Sequence, residues 1–253
     1  MKLGLIGAGN MASALARGIG APVLVSDIDD AKARALAEEL GGEPVGSNTE
    51  LAERADAILL CHKPKQLDEV AAEVGSAHPR VVISILAATT TEQLSAAYPD
   101  ASIYRFIPNM NADVRRGVLC YVAGPRAAEG PEDEILALMG RAGVVIRLDD
   151  EPLIEPAMAL MSCGPAFMAL VAESFADAGA AHGLDPGDAM RMVVETMGGT
   201  ADYLARHDYD GPALRGRVAT PGGTTEKGLM SLEENGLRDV CRAAVDAVVE
   251  ATR

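Results

Sequence analysis

The sequence predicts a doubly wound α/β domain followed by an all-helical domain. Short apolar runs alternate with helical stretches up to about residue 150, and a glycine-rich turn directly follows the first of these runs. Beyond residue 150 the strand signal stops, and apolar residues recur with the period of a helix. We therefore place the first domain at residues 1–150 and the second at residues 151–253.

The predicted strands of the first domain are short apolar runs. Continuous runs such as Ala57–Cys61 are typical of parallel strands that are buried on both faces. Helical stretches separate the runs, which is the alternation of a doubly wound sheet. The strands are Lys2–Ile6, Val23–Ser26, Ala57–Cys61, Val81–Leu86, Ser102–Ile107, Leu119–Ala123 and Val144–Leu148. The helices lie at residues 11–20, 30–40, 66–75, 91–97 and 131–142.

Apolar stripes of helical period fill the second domain at residues 165–183, 187–206 and 236–252. Gly183 ends the first of these helices, and Asp185-Pro186 supplies the N-cap and first-turn proline of the next. The stripes carry more apolar surface than a domain of about 100 residues hides within itself. We therefore expect a homodimer with the helical domain at the interface.

The net charge of −15 argues against a nucleic-acid partner, because no cluster of lysine and arginine is present to neutralise phosphates. The four cysteines include no Cys-x-x-Cys pair, and no His/Asp/Glu spacing indicates a metal site. No uninterrupted apolar run reaches the roughly 18 residues that cross a bilayer, and the chain begins directly with a strand, without a signal peptide. We expect a cytoplasmic protein with free thiols, no metal and no membrane partner.

A dinucleotide-binding fingerprint, Gly7-Ala8-Gly9-Asn10-Met11-Ala12, joins the first strand to the first helix. Gly7 allows a tight turn, Gly9 lets the backbone approach a pyrophosphate, and Ala12 is small where the helix meets the strand. The N–H groups and the dipole at the helix N-terminus then stabilise the negative charge of the phosphates. The segment predicts a Rossmann-type domain, with Gly7, Gly9, Asn10, Met11 and Ala12 at the cofactor.

An acidic residue closes the second predicted strand. Asp27 stands where a carboxylate binds the ribose 2′-hydroxyl of NAD, and a 2′-phosphate there would also meet Asp29 and Asp30. Lys32 and Arg34 would relieve part of that repulsion. The segment therefore favours NADH and leaves NADPH as the alternative. A helix-capping role for these acids is compatible with the same pattern.

The loop Cys61-His62-Lys63-Pro64 leaves the carboxyl end of a buried strand, the edge of the sheet where cofactors lie. A solvated loop and a cofactor contact are both open for His62 and Lys63. Residues 162–166, Ser-Cys-Gly-Pro-Ala, precede a helix. Because no histidine is near Cys163 in sequence to activate it, packing is favoured over nucleophilic chemistry for this thiol.

The segment Thr220-Pro221-Gly222-Gly223-Thr224-Thr225 opens a predicted helix at residues 226–233. Backbone N–H groups at such a position, together with the two threonine hydroxyls, form a nest for a small anion. We predict that Thr220, Gly222, Gly223, Thr224 and Thr225 bind the carboxylate of a small substrate.

Together these segments resemble the pyrroline-5-carboxylate reductase family over essentially the whole chain. The block Ala-Thr-Pro-Gly-Gly-Thr-Thr at residues 219–225, followed by Gly228-Leu229, matches the family signature most specifically. The resemblance implies a Rossmann domain and a helical domain that interleaves with a partner chain into a dimer, often within a larger ring. Further matching positions are Gly7–Ala12, Asn48, Lys63-Pro64, Pro108-Asn109, Gly164-Pro165-Ala166 and Leu232-Glu233.

The resemblance also implies roles for individual residues. Asn48 would touch the adenosine side of the cofactor and Lys63-Pro64 the nicotinamide side, with His62, Pro108 and Asn109 in the same cofactor site. Gly164 and Pro165 would line the substrate site. Thr220, Thr224 and Thr225 would hold the substrate carboxylate and ring nitrogen, with Thr225 as the candidate catalytic residue in a positioning role.

The chain departs from the family pattern at several positions. Ser162-Cys163 replaces a usual Gly-Ser, Met110-Asn111 a usual Thr-Pro, Gly216-Arg217 a common Asp-Asn, and Ala88 a usual Gly. The Ser-Cys-Gly-Pro-Ala-Phe segment is similar to that of competence-associated relatives. The implied reaction is reduction of 1-pyrroline-5-carboxylate to L-proline, the last step of proline biosynthesis.

Other activities stay open beside that reaction. They are the reduction of another cyclic imino acid and a cofactor-binding regulatory role without turnover. A β-hydroxyacid dehydrogenase would share the two-domain plan but needs a lysine on the first helix of its second domain. Lys227 is the only lysine beyond residue 150, and it follows the glycine turn instead.

Overall fold

The computed structural model describes residues 1–252, which form two compact units. The first comprises Met1–Pro165 with Thr252, and the second comprises Ala166–Ala251. The domain boundary at residue 150 stays a prediction.

The first unit is built on an eight-stranded sheet, among the described residues, with the order β3-β2-β1-β4-β5-β6-β7-β8. Neighbouring strands are parallel except for β6 and β7, which pair antiparallel. The predicted doubly wound fold is confirmed. The strands are β1 (Leu3–Ile6), β2 (Leu24–Ser26), β3 (Glu43–Pro44), β4 (Ala57–Leu60), β5 (Val81–Ser84), β6 (Ser102–Ile107), β7 (Gly117–Ala123) and β8 (Gly143–Arg147).

The central strands of the sheet are buried on both faces, as continuous apolar runs require, whereas the edge strands β3 and β8 are largely exposed. Leu59 of β4 packs with Leu5 and Ile83 in one core cluster, whereas its neighbours Ile58 and Leu60 belong to the other. This alternation follows from the period of two along a strand. The helices of the first unit are α1 (Asn10–Ile19), α2 (Asp30–Glu39), α3 (Asn48–Arg54), α4 (Leu67–Val74), α5 (Thr91–Ala97), α6 (Glu132–Met139) and α7 (Ile154–Met161).

The topology creates a switch point between β1 and β4. From β1 the chain proceeds outward to β2 and β3, then returns to β4 on the other side of β1 and continues to β5 and β6. Because these strands are parallel, their carboxyl ends share one edge of the sheet. Loops that follow this edge at a switch point form the ligand crevice of doubly wound folds.

The second unit is helical. It contains α9 (Pro186–Ala205), α10 (Gly211–Val218), α11 (Thr224–Glu234), α12 (Leu237–Ala251) and nearly all of α8 (Gly164–Ala181). The predicted cap of α9 is present, because Asp185 Oδ1 accepts hydrogen bonds from Gly187 N at 2.9 Å and Asp188 N at 3.1 Å.

Large apolar side chains of this second unit are exposed on the single chain. Leu170 is 62% exposed, Phe175 51% and Val240 65%. Among residues 1–252, the helical stretch Glu151–Ala181 is long and apolar enough to cross a membrane by length and composition alone. The sequence predicts no apolar run of about 18 residues, whereas this stretch meets the two criteria by its mean hydropathy. It is weak evidence for a membrane span, because a core helix of a soluble protein meets the same criteria.

Candidate active site

The first glycine of the fingerprint sits where only glycine fits. Gly7 has a φ of +108°, and a Cβ there would lie 2.8 Å from the carbonyl carbon of Cys61. Its N–H donates to the carbonyl of Ser26 at 2.7 Å. The turn is thereby held against the carboxyl ends of both β2 and β4.

The second glycine leaves an open cradle at the start of α1. Gly9 is the N-cap residue, and a Cβ there would meet nothing within 4 Å. The first intrahelical bond runs from Ser13 N to Gly9 O at 2.9 Å, so the N–H groups of Asn10 and Met11 precede it. No acidic residue lies in the first turn. An open helix N-terminus without a competing carboxylate fits a pyrophosphate.

Asp27 is fixed beside this turn. Its Oδ2 accepts a hydrogen bond from Ala8 N at 2.7 Å, and its Oδ1 accepts one from Asp29 N at 2.8 Å. Each carboxylate oxygen has a second lone pair, so these bonds leave acceptor capacity for ribose hydroxyls. The carboxylate thus braces the glycine turn while it stays half-buried at the end of β2.

The basic side chains at the start of α2, Lys32 and Arg34, form ion pairs with acidic side chains. Lys32 Nζ lies 3.7 Å from Asp29 Oδ2, and Arg34 Nη2 lies 3.2 Å from Asp30 Oδ2. Both pairs are exposed, and exposed pairs are weakly held. Because these pairs are weakly held, they leave both cations able to exchange partners.

Asn48 begins α3, whose N-cap is Ser47. The Asn48 amide donates to Glu73 Oε2 at 2.5 Å, and Thr49 Oγ1 donates to the carbonyl of Glu73 at 2.7 Å. These bonds tie the start of α3 to the end of α4.

The loop after β4 carries the half-buried His62. Its Nδ1 lies 2.9 Å from the carbonyl oxygen of Lys63, which fits a ring with Nδ1 protonated. Burial lowers the pKa of His62, and the Lys63 carbonyl and the charge of Glu73 offset only part of this effect. Burial therefore favours the neutral ring of His62. Lys63 and Pro64 themselves are exposed.

Asn109 is a buried connector at the carboxyl end of β6. Its amide donates to the carbonyl of Met161 at 2.8 Å, and its Oδ1 accepts from Val118 N at 3.1 Å. Ser162 Oγ donates to the carbonyl of Pro108 at 3.2 Å. These bonds fasten the segment just before Gly164 and Pro165 to the loop after β6.

In the second unit, residues 220–223 form a type II β-turn. Pro221 occupies its second position, Gly222 its third with a φ of +74°, and Gly223 N donates to Thr220 O at 2.9 Å. Gly223 is also the N-cap of α11, without a side-chain cap. The N–H groups of Thr224 and Thr225 have no acceptor among the described residues. The predicted turn ahead of α11 is therefore present, and its role as an anion nest stays a prediction.

One residue of this nest was not predicted from the sequence. Glu226, in the first turn of α11, accepts a hydrogen bond from Gly222 N at 2.6 Å through its Oε2. The available signal was its position three residues after the N-cap, where a glutamate commonly reaches back to the backbone.

The structure thus gathers the predicted cofactor residues and Gly164-Pro165 in the first unit, and the threonine turn in the second. The glycine turn at the switch point, the open N-terminus of α1 and the fixed acid after β2 define a nicotinamide-dinucleotide-dependent oxidoreductase. Residues 2–88 match the family model described as NADP oxidoreductase, coenzyme F420-dependent, and residues 151–253 match that of pyrroline-5-carboxylate reductase dimerisation. The chain belongs to the pyrroline-5-carboxylate reductase family, and the predicted resemblance is confirmed.

Individual relatives match over nearly their full length. A pyrroline-5-carboxylate reductase of Synechocystis sp. is 31% identical over 261 residues, with 100% of this chain and 95% of that protein covered. A pyrroline-5-carboxylate reductase structure from Coxiella burnetii has a TM-score of 0.91 at 28% identity, covering 99% of this chain and 97% of the other. The Plasmodium falciparum pyrroline carboxylate reductase, solved with NADP bound, has a TM-score of 0.85 at 26% identity, covering 100% and 97%.

The dimerisation domain accounts for the exposed apolar helices, and a homodimer fits it. We expect light scattering at micromolar concentration to give twice the 26.2 kDa mass of the chain, or a multiple of that dimer. Leu170→Glu should lower the measured mass, because it would bury a charge without a partner.

The control for this substitution is Val114→Glu. Val114 is also exposed, at 69%, but it lies in the first unit, outside the dimerisation domain. A monodisperse monomer for the wild-type protein would contradict dimerisation through the helical domain. An equal decrease of the light-scattering mass in both variants would contradict it too.

Proposed function

We propose that this enzyme carries out the family's reaction with NADH as the favoured cofactor and NADPH as the alternative. The reaction is the reduction of the cyclic imine 1-pyrroline-5-carboxylate to L-proline. A hydride adds to the carbon of the C=N bond and a proton to its nitrogen, and the bound nicotinamide cofactor supplies the hydride. The observation that carries the proposal is that one chain contains both motifs. The first unit has the dinucleotide fingerprint at the switch point, and the second has the threonine turn ahead of α11.

In this proposal the first unit holds the cofactor. The N–H groups at the start of α1 bind the pyrophosphate, and Asp27 binds the adenosine ribose. Asn48 contributes on the adenosine side and Lys63-Pro64, beside His62, on the nicotinamide side. Pro108 and Asn109 act through the segment that they fasten, which presents Gly164 and Pro165 to the substrate.

The threonine turn holds the substrate carboxylate through backbone N–H groups and hydroxyls. Thr225 is exposed in the first turn of α11, and its hydroxyl hydrogen-bonds the ring nitrogen, donating to a neutral imine or accepting from a protonated one. A hydroxyl is a weak acid, so its role is to orient the imine, while the proton comes from water or arrives on the imine itself. Imine reduction needs this orientation more than it needs a strong base.

The test is oxidation of NADH by the purified protein with 1-pyrroline-5-carboxylate, with L-proline identified as the product. Turnover of another cyclic imino acid alone would keep the reaction type and overturn the substrate. Cofactor binding without any turnover would support a regulatory relative instead. A supporting measurement is protection from thermal unfolding by L-proline together with NAD, which follows from mass action.

The cofactor preference gives a separate prediction. We expect a higher kcat/KM with NADH than with NADPH, because the Asp27 carboxylate would bind the ribose 2′-hydroxyl of NADH and repel a 2′-phosphate. Asp27→Ser should narrow that ratio about tenfold, because it removes a ribose contact and a repulsive charge. The substitution should also weaken the binding of both cofactors, because the hydrogen bond from Ala8 N to Asp27 is lost.

Steady-state kinetics with both cofactors checks this expectation. The matched control is Asp30→Ser. Asp30 is an exposed acid at the start of α2, and it pairs with Arg34. A wild-type preference for NADPH, or an equal effect of the two substitutions, would contradict a specific role for Asp27.

A further inference from the structure

The threonine turn already holds a carboxylate that belongs to the chain itself. Glu226 Oε2 accepts a hydrogen bond from Gly222 N at 2.6 Å. Glu226 is half-buried, whereas Gly222, Thr224 and Thr225 are exposed. The side chain therefore folds back over the turn at the position proposed for the substrate carboxylate.

The donors of this turn are few. Pro221 has no N–H, and the N–H of Gly223 is used by the carbonyl of Thr220. Four backbone donors then remain at this turn, namely those of Gly222, Thr224, Thr225 and Glu226. The Glu226 carboxylate takes that of Gly222.

We propose that Glu226 is a specificity-determining residue, because its carboxylate competes with the substrate carboxylate for the N–H of Gly222. This inference rests on the proposed function of the turn. Two carboxylates that share one small nest repel each other, and a substrate carboxylate must displace Glu226 or bind beside its charge. Glu226 therefore lowers the preference of the site for imines with a carboxylate over imines without one.

The competing explanation is that Glu226 only caps α11. A glutamate in the first turn of a helix is stabilised by the helix dipole and by reaching back to the backbone. A cap affects the stability of the helix but does not discriminate between substrates. A ratio of two substrates on the same variant therefore separates these roles.

The experiment measures kcat/KM for 1-pyrroline-5-carboxylate and for 1-pyrroline, which lacks the carboxylate. The variants are Glu226→Gln, which keeps an acceptor oxygen without the charge, and Glu226→Ala, which removes both. We expect the ratio of the two kcat/KM values to rise about three- to tenfold in both variants, mainly through a lower KM for the carboxylate substrate. Glu234→Gln is the control, because it removes an equal charge from the exposed end of the same helix.

An unchanged or lower ratio in both Glu226 variants overturns the proposal, as does an equal rise in Glu234→Gln. Calorimetric binding of L-proline and of pyrrolidine in the presence of NAD repeats the comparison without turnover. If wild-type protein does not reduce 1-pyrroline-5-carboxylate, the proposed function fails. In that case a proline-to-pyrrolidine affinity ratio that rises in the variants still supports the role of Glu226, and a constant ratio refutes it. Melting temperatures of all variants confirm that each is folded.

Discussion

Gly223→Val is expected to lower kcat/KM for 1-pyrroline-5-carboxylate by at least about a hundredfold, a loss near 2.7 kcal/mol of transition-state stabilisation. A Cβ at Gly223 would lie 2.5 Å from Thr220 Oγ1 and 2.9 Å from the Thr220 carbonyl oxygen. The second contact is with backbone, so the β-turn itself must shift. The N–H groups that precede α11 would then no longer point at one anion.

Thr225→Ala tests the same turn more gently. It removes one hydroxyl without moving the backbone, and one hydrogen bond to a charged or developing group contributes about 1.5–3 kcal/mol. We expect a ten- to hundredfold loss of turnover, smaller than that of Gly223→Val. NADH binding and the melting temperature should stay nearly unchanged.

The matched control for the valine is Gly216→Val. Gly216 lies in the neighbouring helix α10, and a Cβ there would meet nothing within 4 Å. Kinetics, NADH titration and thermal melts of the three variants together separate a lost site from a lost fold. If Gly223→Val and Thr225→Ala both leave kcat/KM within threefold of wild type, the turn merely joins two helices.

The fold was predictable because its main signals are local and repeated. Most of the predicted strands are runs of apolar residues buried on two faces, so their composition alone marks them. β3 was missed because it has only two residues, both exposed, and so shows no pattern. The antiparallel pairing of β6 with β7 depends on which edges meet in space, and no local pattern records this.

Short helices were harder to predict than strands. α7 contains Pro156, which suggests a break, yet the residue lies in the first turn, where a missing N–H costs nothing. α10 has Gly211 and Gly216 within eight residues and is set by the cap of Asp210, whose Oδ1 accepts from Ala213 N at 2.9 Å. The intrinsic helix propensity of such segments is weak, so packing against the rest of the protein decides whether they are helical.

The site was predictable as a set of motifs and less so as a set of contacts. The positive φ of Gly7 follows from its place in the fingerprint. The bonds from Ala8 N to Asp27 and from Gly222 N to Glu226 join groups whose meeting depends on the fold of the loops. Ala88 shows the same limit, because its φ of +50° accounts for the glycine usual in the family, yet the sequence of this chain gives no sign of it.

A second large effect is expected at a buried ion pair in the first unit. Arg105 of β6 is 6% exposed, and its Nη1 donates to Glu151 Oε1 at 2.5 Å. The same carboxylate accepts from the Thr91 N–H at 2.8 Å and the Thr91 hydroxyl at 2.9 Å. Glu151 thereby joins the start of α5, the middle of the sheet and the chain that leads into α7.

Glu151→Gln is expected to lower the free energy of unfolding by about 3 kcal/mol, because it leaves the buried guanidinium of Arg105 without a counter-charge. Burial by itself would raise the pKa of Glu151, but the hydrogen bonds from Arg105 and Thr91 outweigh it and lower the pKa. The folded-state pKa is therefore below that of the unfolded chain. The contribution of Glu151 is present above an unfolded pKa of about 4.3 and is lost as the pH falls through the folded value.

Denaturant unfolding at a fixed protein concentration, repeated from pH 7 to below pH 4, measures both effects. The fixed concentration is needed because dimerisation adds to the apparent stability. Glu39→Gln is the control, since its pair with Arg17 joins side chains that are 47% and 42% exposed and should contribute at most about 1 kcal/mol. The difference between wild type and Glu151→Gln should shrink toward acid pH, because protonation of Glu151 produces the same uncompensated Arg105 in the wild type. A loss at Glu151 no larger than that at Glu39, or one that grows as the pH falls, would show that the buried pair does not anchor this junction.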